Sequence, residues 1–222
     1  MKVGININGV LRDYFGKIEK THTKYFFPEE GKEVKIEDYD LEKWLWFPEE
    51  ETVKNEIEFN PDFNEKNFIL SEATTQETTI VKEDPITVDD FIYDRCCLEV
   101  FGYADEEIDG AVQTINDLGL HLKMIGKEHE LIVTSREAGR SVPATLFFLS
   151  KTGSMTQDVK FTMGTTDCWQ FVDIMVTDHP EIINSKPKGK KVIKIEKPFN
   201  QEMPADYTIK SVKELVGLEI FN

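Results

Sequence analysis

The chain opens on a short alternation of apolar and polar positions. In Lys2-Val3-Gly4-Ile5-Asn6-Ile7-Asn8-Gly9, Ile5 and Ile7 alternate with Asn6 and Asn8. This predicts a buried strand with both amides on one side of its C-terminal end. From Val10 to about Tyr25 the spacing turns helical, with Val10, Leu11, Tyr14, Phe15 and Ile18 on one face. Strand, Gly turn and helix together open an α/β unit. Helical periodicity returns over Phe91 to Phe101 and Ile108 to Leu122, with Gly102 and Gly119 as expected interruptions. An apolar strand from His129 ends in Thr134 and Ser135. A helix then starts near Ser141-Val142-Pro143-Ala144 and stops at Gly153. Further strands are expected at Val159 to Thr162, Val172 to Thr177 and Lys191 to Ile195, with a last short helix over Ser211 to Val216. Strands and helices in this alternation predict a three-layer, Rossmann-like α/β fold whose parallel sheet is covered on both faces. Such sheets bind ligands outside the carboxyl ends of their strands. The candidate site is therefore Asn6 and Asn8, Thr134 and Ser135, and Thr177 and Asp178.

Between about Phe26 and Asp90 the pattern changes. Acidic doublets are interleaved with aromatics, as in Trp44-Leu45-Trp46-Phe47-Pro48, which could serve as core or as contact surface. Two β-like stretches, Asn67 to Ser71 and Thr78 to Lys82, flank a polar bend. The expected organisation is a core of residues 1–25 and 90–222 with an acidic, aromatic-rich, cap-type insertion at 26–89. Charge sharpens that division. Residues 24–110 hold 26 Asp or Glu and 8 Lys or Arg, a balance of −18, so the rest of the chain carries +2 of the total of −16. That segment disfavours nucleic acid and anionic membranes. It is either a solvated face or a docking surface for a basic protein partner. The basic run Lys186 to Lys191 reads as a solvated turn.

Cys96, Cys97 and Cys168 lack paired spacing, and His22, His121, His129 and His179 are scattered, so reduced thiols and no structural metal are expected. No apolar run reaches the ~20 residues of a membrane span. The start of the chain runs directly into a strand, without a secretory leader, so a cytoplasmic location is expected.

Gly4-Ile5-Asn6-Ile7-Asn8-Gly9-Val10-Leu11 resembles the first motif of the haloacid dehalogenase (HAD) superfamily, an apolar strand followed by Asp-x-Asp-Gly-(Val/Thr)-Leu. Leu131-Ile132-Val133-Thr134-Ser135 is similar to the second motif. Asp173-Ile174-Met175-Val176-Thr177-Asp178-His179-Pro180 is similar to the fourth, in the form carried by 5′-nucleotidase-like members, and Pro198-Phe199-Asn200 fits the turn that follows there. The opening through Gly16-Lys17-Ile18-Glu19, together with Arg140 to Lys151, further resembles small HAD-like proteins encoded by tailed bacteriophages. The likeness covers roughly residues 1–25 and 90–216, with the insertion where the family places its cap.

The resemblance implies a phosphoryl-transfer site, and the departures from it imply that the site is degenerate. In active members the first Asp attacks phosphorus and the second, two residues on, serves as acid and base. These groups and a fourth-motif acid hold Mg²⁺, which prefers anionic oxygens. Here those positions are Asn6, Asn8 and Thr177, leaving Asp178 as the residual metal candidate. A carboxamide has no anionic oxygen for attack and cannot shuttle a proton near neutral pH. The third motif's Lys is missing from Gly164-Thr165-Thr166, with Lys151 and Lys160 the nearest substitutes. The expectation is a catalytically inactive HAD-like protein without resident cofactor. It would bind protein partners through residues 26–89, as a phage virion or assembly component would. Asn8, Gly9, Val10, Thr134 and Ser135 form a candidate anion cradle. The alternative is a Mg²⁺-dependent phosphohydrolase acting on nucleotides or other phosphate esters.

Overall fold

The computed structural model describes residues 1–27, 34–47, 86–126 and 128–221. The two β-like stretches of the insertion, and the bend between them, lie outside the described residues. Six strands form a single parallel sheet: β1 (Lys2–Asn6), β2 (Glu130–Arg136), β3 (Asp158–Thr162), β4 (Ile174–Thr177), β5 (Lys191–Ile195) and β6 (Tyr207–Ile209). Their order is β3-β2-β1-β4-β5-β6. The chain therefore builds outward from β1 on one side, returns to its other side at β4, and builds outward again. The C-terminal end of β1 is thus the topological switch point at which open parallel sheets form their crevice.

Helices α1 (Tyr14–Phe26), α2 (Leu41–Trp44), α3 (Ala111–Ile125), α4 (Ser141–Lys151) and α5 (Pro180–Asn184) complete the regular elements, with 3₁₀ turns at Thr165–Gln170 and Val212–Gly217. Val3, Ile5, Val133, Val176 and Ile193 of the sheet pack with Ile115 and Leu118 of α3 and Phe148 of α4 in the main core. On the opposite face, Ile132, Met175 and Val192 pack with Trp169, Ile182 and Ile183. Apolar runs buried on both faces are the expected signature of parallel strands. Among the described residues no helix is long and apolar enough to cross a membrane.

The structure departs from the sequence expectations at several elements, each for a local reason. The first helix begins at Tyr14 rather than Val10, because Asp13 caps it by accepting the amide of Gly16 at 3.0 Å. Residues 7–12 instead fold into a tight turn in which the amides of Leu11 and Arg12 both donate to the carbonyl of Ile7 at 2.9 Å. Gly119 does not interrupt α3. A Cβ there would stand 3.3 Å from Leu131 Cδ2, so the glycine lets the helix approach β2 closely. The segment over Phe91 to Phe101 forms two π-helical turns, Asp90–Arg95 and Leu98–Gly102, closed by Cys96 N–H to Phe91 O and Tyr103 N–H to Leu98 O. The three-residue β6 was not anticipated.

A second core joins Tyr14 and Ile18 of α1 to Ile36, Leu45, Phe91, Ile92, Val100 and Phe101. Trp44 and Phe47 pack against it, whereas Trp46 is 61% exposed and stacks on Phe27 with ring centroids 5.8 Å apart. The three cysteines are buried and free.

Candidate functional site

The sheet register assembles the candidate site. Asn6 pairs with Thr134 of β2, and Ile5 pairs with Val176 of β4, which sets Thr177 on the other flank of Asn6. All three are buried. The Asn6 side-chain amide donates to the carbonyl of Asn8 at 3.0 Å and to Thr177 Oγ1 at 3.3 Å. Two acceptors on one side fix the orientation of the carboxamide. Asn6 lines a cavity of about 530 Å³. Asn6 and Asn8, Thr162 and Thr165, and Tyr93 line that cavity from the core, and Tyr39 lines it from the insertion.

Asn8 is held by a group that the sequence reading missed. The Arg12 guanidinium, fully buried, donates through Nε at 2.9 Å and through Nη2 to Asn8 Oδ1. It also donates to the carbonyl of Phe101 at 3.0 Å, to Thr145 Oγ1 at 2.8 Å and to Glu137 Oε1 at 3.1 Å. Ser135 Oγ and Thr145 Oγ1 donate to that same Glu137 oxygen at 2.8 and 2.7 Å. Burial lowers the Arg12 pKa and the Glu137 carboxylate opposes the shift. The guanidinium also lies over the Phe101 ring, 4.7 Å from its centroid. Asn8 is therefore clamped by a buried cation that ties the β1 turn to α4 and to the end of the second π-helical turn.

The candidate anion cradle is largely occupied by these internal bonds. The Gly9 amide donates to Arg12 O at 3.0 Å, the Val10 amide points to Ile7 O at 3.4 Å, and Ser135 serves Glu137. Thr134 Oγ1 reaches only Met175 Sδ, at 4.0 Å. Gly9 adopts φ 74°, a backbone state that favours glycine, and a Cβ there would collide with the Asp178 carboxylate.

Asp178 is fully buried at the end of β4. Its Oδ1 accepts the Tyr39 hydroxyl at 2.7 Å, and its Oδ2 has no hydrogen-bond partner among the described residues. Burial pushes its pKa up to about 7, against the smaller opposing effect of the Tyr39 hydrogen bond. The Tyr39 ring packs at a tilt against His179, with centroids 4.0 Å apart, and meets Phe15 and Phe199 edge-on. Asn200 supports the loop from below, donating to the carbonyls of Asp178 at 2.8 Å and Ile195 at 2.9 Å. The buried Lys194 ammonium donates to the carbonyls of Asn200, Gln201 and Met203 at 2.9–3.0 Å. Tyr39→Phe should cost about 2 kcal/mol, because it removes a buried hydrogen bond to a carboxyl group. Urea unfolding of the two proteins at pH 7 measures that loss.

This donor set does not fit Mg²⁺. The ion needs several hard, mostly anionic oxygens in octahedral array. Asp178 holds one oxygen on Tyr39 and is pushed by burial toward its neutral form, Thr177 Oγ1 accepts the Asn6 and His179 amides, and Asn6 is neutral. Among the described residues no three His, Cys, Asp or Glu side chains converge. Neither candidate lysine reaches the cavity: Lys160 pairs with Asp158 at 2.7 Å and Lys151 donates to Ala104 O at 2.7 Å. Among the described residues Arg136 lines it. Cys168 also lines it, but burial raises its thiol pKa to about 12, so it supplies no nucleophilic thiolate.

No protein-family model and no curated protein sequence matches the chain. Solved structures do. A candidate haloacid dehalogenase-like hydrolase from Burkholderia xenovorans LB400 superposes at TM-score 0.51 with 12% identity, over 99% of this chain and 96% of its own. The fold is of the haloacid-dehalogenase type. A dehalogenase solved with an intermediate complex aligns at TM-score 0.41 with 14% identity, covering 53% of this chain. The alignment takes in 58% of the dehalogenase. In this haloacid-dehalogenase-type fold, Asn6 and Asn8 occupy the end of the central strand, and Asp178 ends its neighbour β4. Arg12, Glu137 and Tyr39 are the additions that sequence reasoning missed. A charged residue four positions beyond Asn8, and another two beyond Ser135, were the signals available.

Proposed function

We propose that this chain is a non-catalytic protein of haloacid-dehalogenase-type fold that acts by binding. The observation that carries this reading is the fixed state of the two amides. Asn6 is turned by Asn8 O and Thr177 Oγ1, and Asn8 is clamped by Arg12. Neither is an ionised carboxylate, so neither attacks phosphorus or relays a proton. In the resembled family those two positions carry the chemistry.

Purified protein is expected to release no phosphate from p-nitrophenyl phosphate or nucleoside monophosphates with Mg²⁺ present. Turnover that disappears in Asp178→Ala would overturn the reading in favour of a Mg²⁺-dependent phosphohydrolase. The finer proposal, a phage virion or assembly component, is supported by the sequence resemblance. Mass spectrometry of purified particles tests it, and particles without the chain remove it.

A further inference from the structure

The outer face of α4 carries exposed apolar side chains. A surface helix ordinarily buries one apolar stripe and shows polar residues on the other side. In α4 the inward stripe is Ala144, Phe148 and Leu149, yet the outward one contains Leu146 and Phe147, 47% and 41% exposed. The exposed apolar surface continues across the second π-helical turn. Tyr103, 53% exposed, packs edge-on against Phe147 at 5.3 Å. Leu98, 49% exposed, and Phe147 close together over the buried Gly102, their Cδ1 atoms 2.9 and 3.3 Å from where a Cβ on that glycine would stand. Leu98 and Tyr103 both lie against Phe147, and Leu146 precedes it on α4; large exposed apolar side chains grouped in this way mark an interaction surface rather than scattered surface residues.

Charge around the patch selects the occupant. The basic side chains on this flank are engaged: Lys24 on Glu99 at 3.0 Å, Arg140 on Asp94 at 3.4 Å, and Lys151 on the carbonyl of Ala104. Among the described residues Asp105 and Asp109 form no ion pair, and with Glu106 and Lys151 they line a groove that starts one residue beyond Tyr103, three carboxylates against one ammonium. The groove is therefore net negative. A second copy of this chain would bring the same unpaired carboxylates and a net charge of −16 to meet them. A basic partner gains from them.

We infer that Leu98, Tyr103, Leu146 and Phe147 form a docking surface for a basic amphipathic helix of another protein. Its apolar stripe lies along α4, and a Lys or Arg enters the Asp105–Asp109 groove. This is a helix-in-groove contact, with apolar anchors for affinity and charge for orientation. It is independent of the state of the candidate site.

The test uses the full chain and two labelled synthetic helical peptides with leucines at i, i+3, i+4 and i+7. One carries lysines at its flanking positions and the other glutamates. Fluorescence anisotropy should show binding of the lysine peptide and none of the glutamate peptide. Leu146→Ser/Phe147→Ser should weaken that binding at least about tenfold, as loss of central apolar anchors does. Because both residues are exposed, the variant should keep its circular dichroism spectrum and unfolding midpoint. Asp105→Asn/Asp109→Asn should weaken binding less and flatten its dependence on salt. Equal binding of the two peptides, or of the lysine peptide to wild type and the serine variant, would overturn the proposal. So would a wild-type dimer in light scattering that the serine variant converts to monomer, since that outcome assigns the face to a second copy.

Discussion

Arg12→Met is expected to destabilise the protein by about 4 kcal/mol, within the range for removing one partner of a buried ion pair. Arg12 and Glu137 are both completely buried, and their side chains meet at 3.1 Å. Arg12 pairs with Oε1, and Oε2 has no hydrogen-bond partner among the described residues, so Arg12→Met leaves a buried carboxylate without the cation it pairs with. The carbonyl of Phe101, Thr145 Oγ1 and Asn8 Oδ1 lose donors in the same step. The cost should arise mainly from charge rather than from packing, because Met fills much of the same volume. Glu137→Gln separates these. In that background the residual group is neutral, so adding Arg12→Met should cost at least about 2 kcal/mol less than it does in wild type. Urea unfolding of the four proteins gives the coupling directly. Strict additivity would show that the network is held by packing alone.

The same network explains what the sequence could and could not disclose. Runs such as Leu131-Ile132-Val133 are apolar because they are covered on both faces, and that need is written locally. The flanking of Asn6 by Thr134 and Thr177 is equally legible, because parallel register aligns strand ends. Arg12 was not legible. A charged side chain is ordinarily solvated, and its counter-ion lies 125 residues away. Tyr39 reaches Asp178 across 139 residues from within the acidic insertion, where only the fold reveals which aromatic points inward. The π-helical turns failed for a different reason. Apolar periodicity locates the face of a helix but does not distinguish i→i+4 from i→i+5 bonding.

Asp178 and His179 should make opposite contributions to stability across mildly acidic pH, and substituting each should expose the other. Burial raises Asp178 from its ordinary 3.8 to about 7, so the folded state favours the neutral acid. The stability this contributes is fully present below pH 3.8 and is lost as pH rises through about 7, a change of roughly 4 kcal/mol. His179 runs the other way. Burial lowers it from 6.5 to about 4, so the folded state favours neutral imidazole. Its contribution is present above pH 6.5 and is lost as pH falls through about 4, roughly 2–3 kcal/mol for a side chain that is not fully enclosed. The two windows overlap almost completely, so in wild type the pair nearly cancels between pH 4 and 7. Asp178→Asn removes the first effect and retains an acceptor for Tyr39. It should be more stable than wild type at pH 7.5 by up to about 4 kcal/mol, with that gain shrinking toward zero by pH 4. His179→Asn keeps an acceptor for the Glu181 amide that caps α5, now accepted by His179 Nδ1 at 3.2 Å. It should match wild type at pH 7.5 and exceed it near pH 4.5. Unfolding free energies of the three proteins at pH 4.5, 6 and 7.5 decide the matter. Parallel pH profiles would mean that neither group changes protonation on folding, and that burial at the mouth of the sheet is looser than the contacts of Tyr39 require.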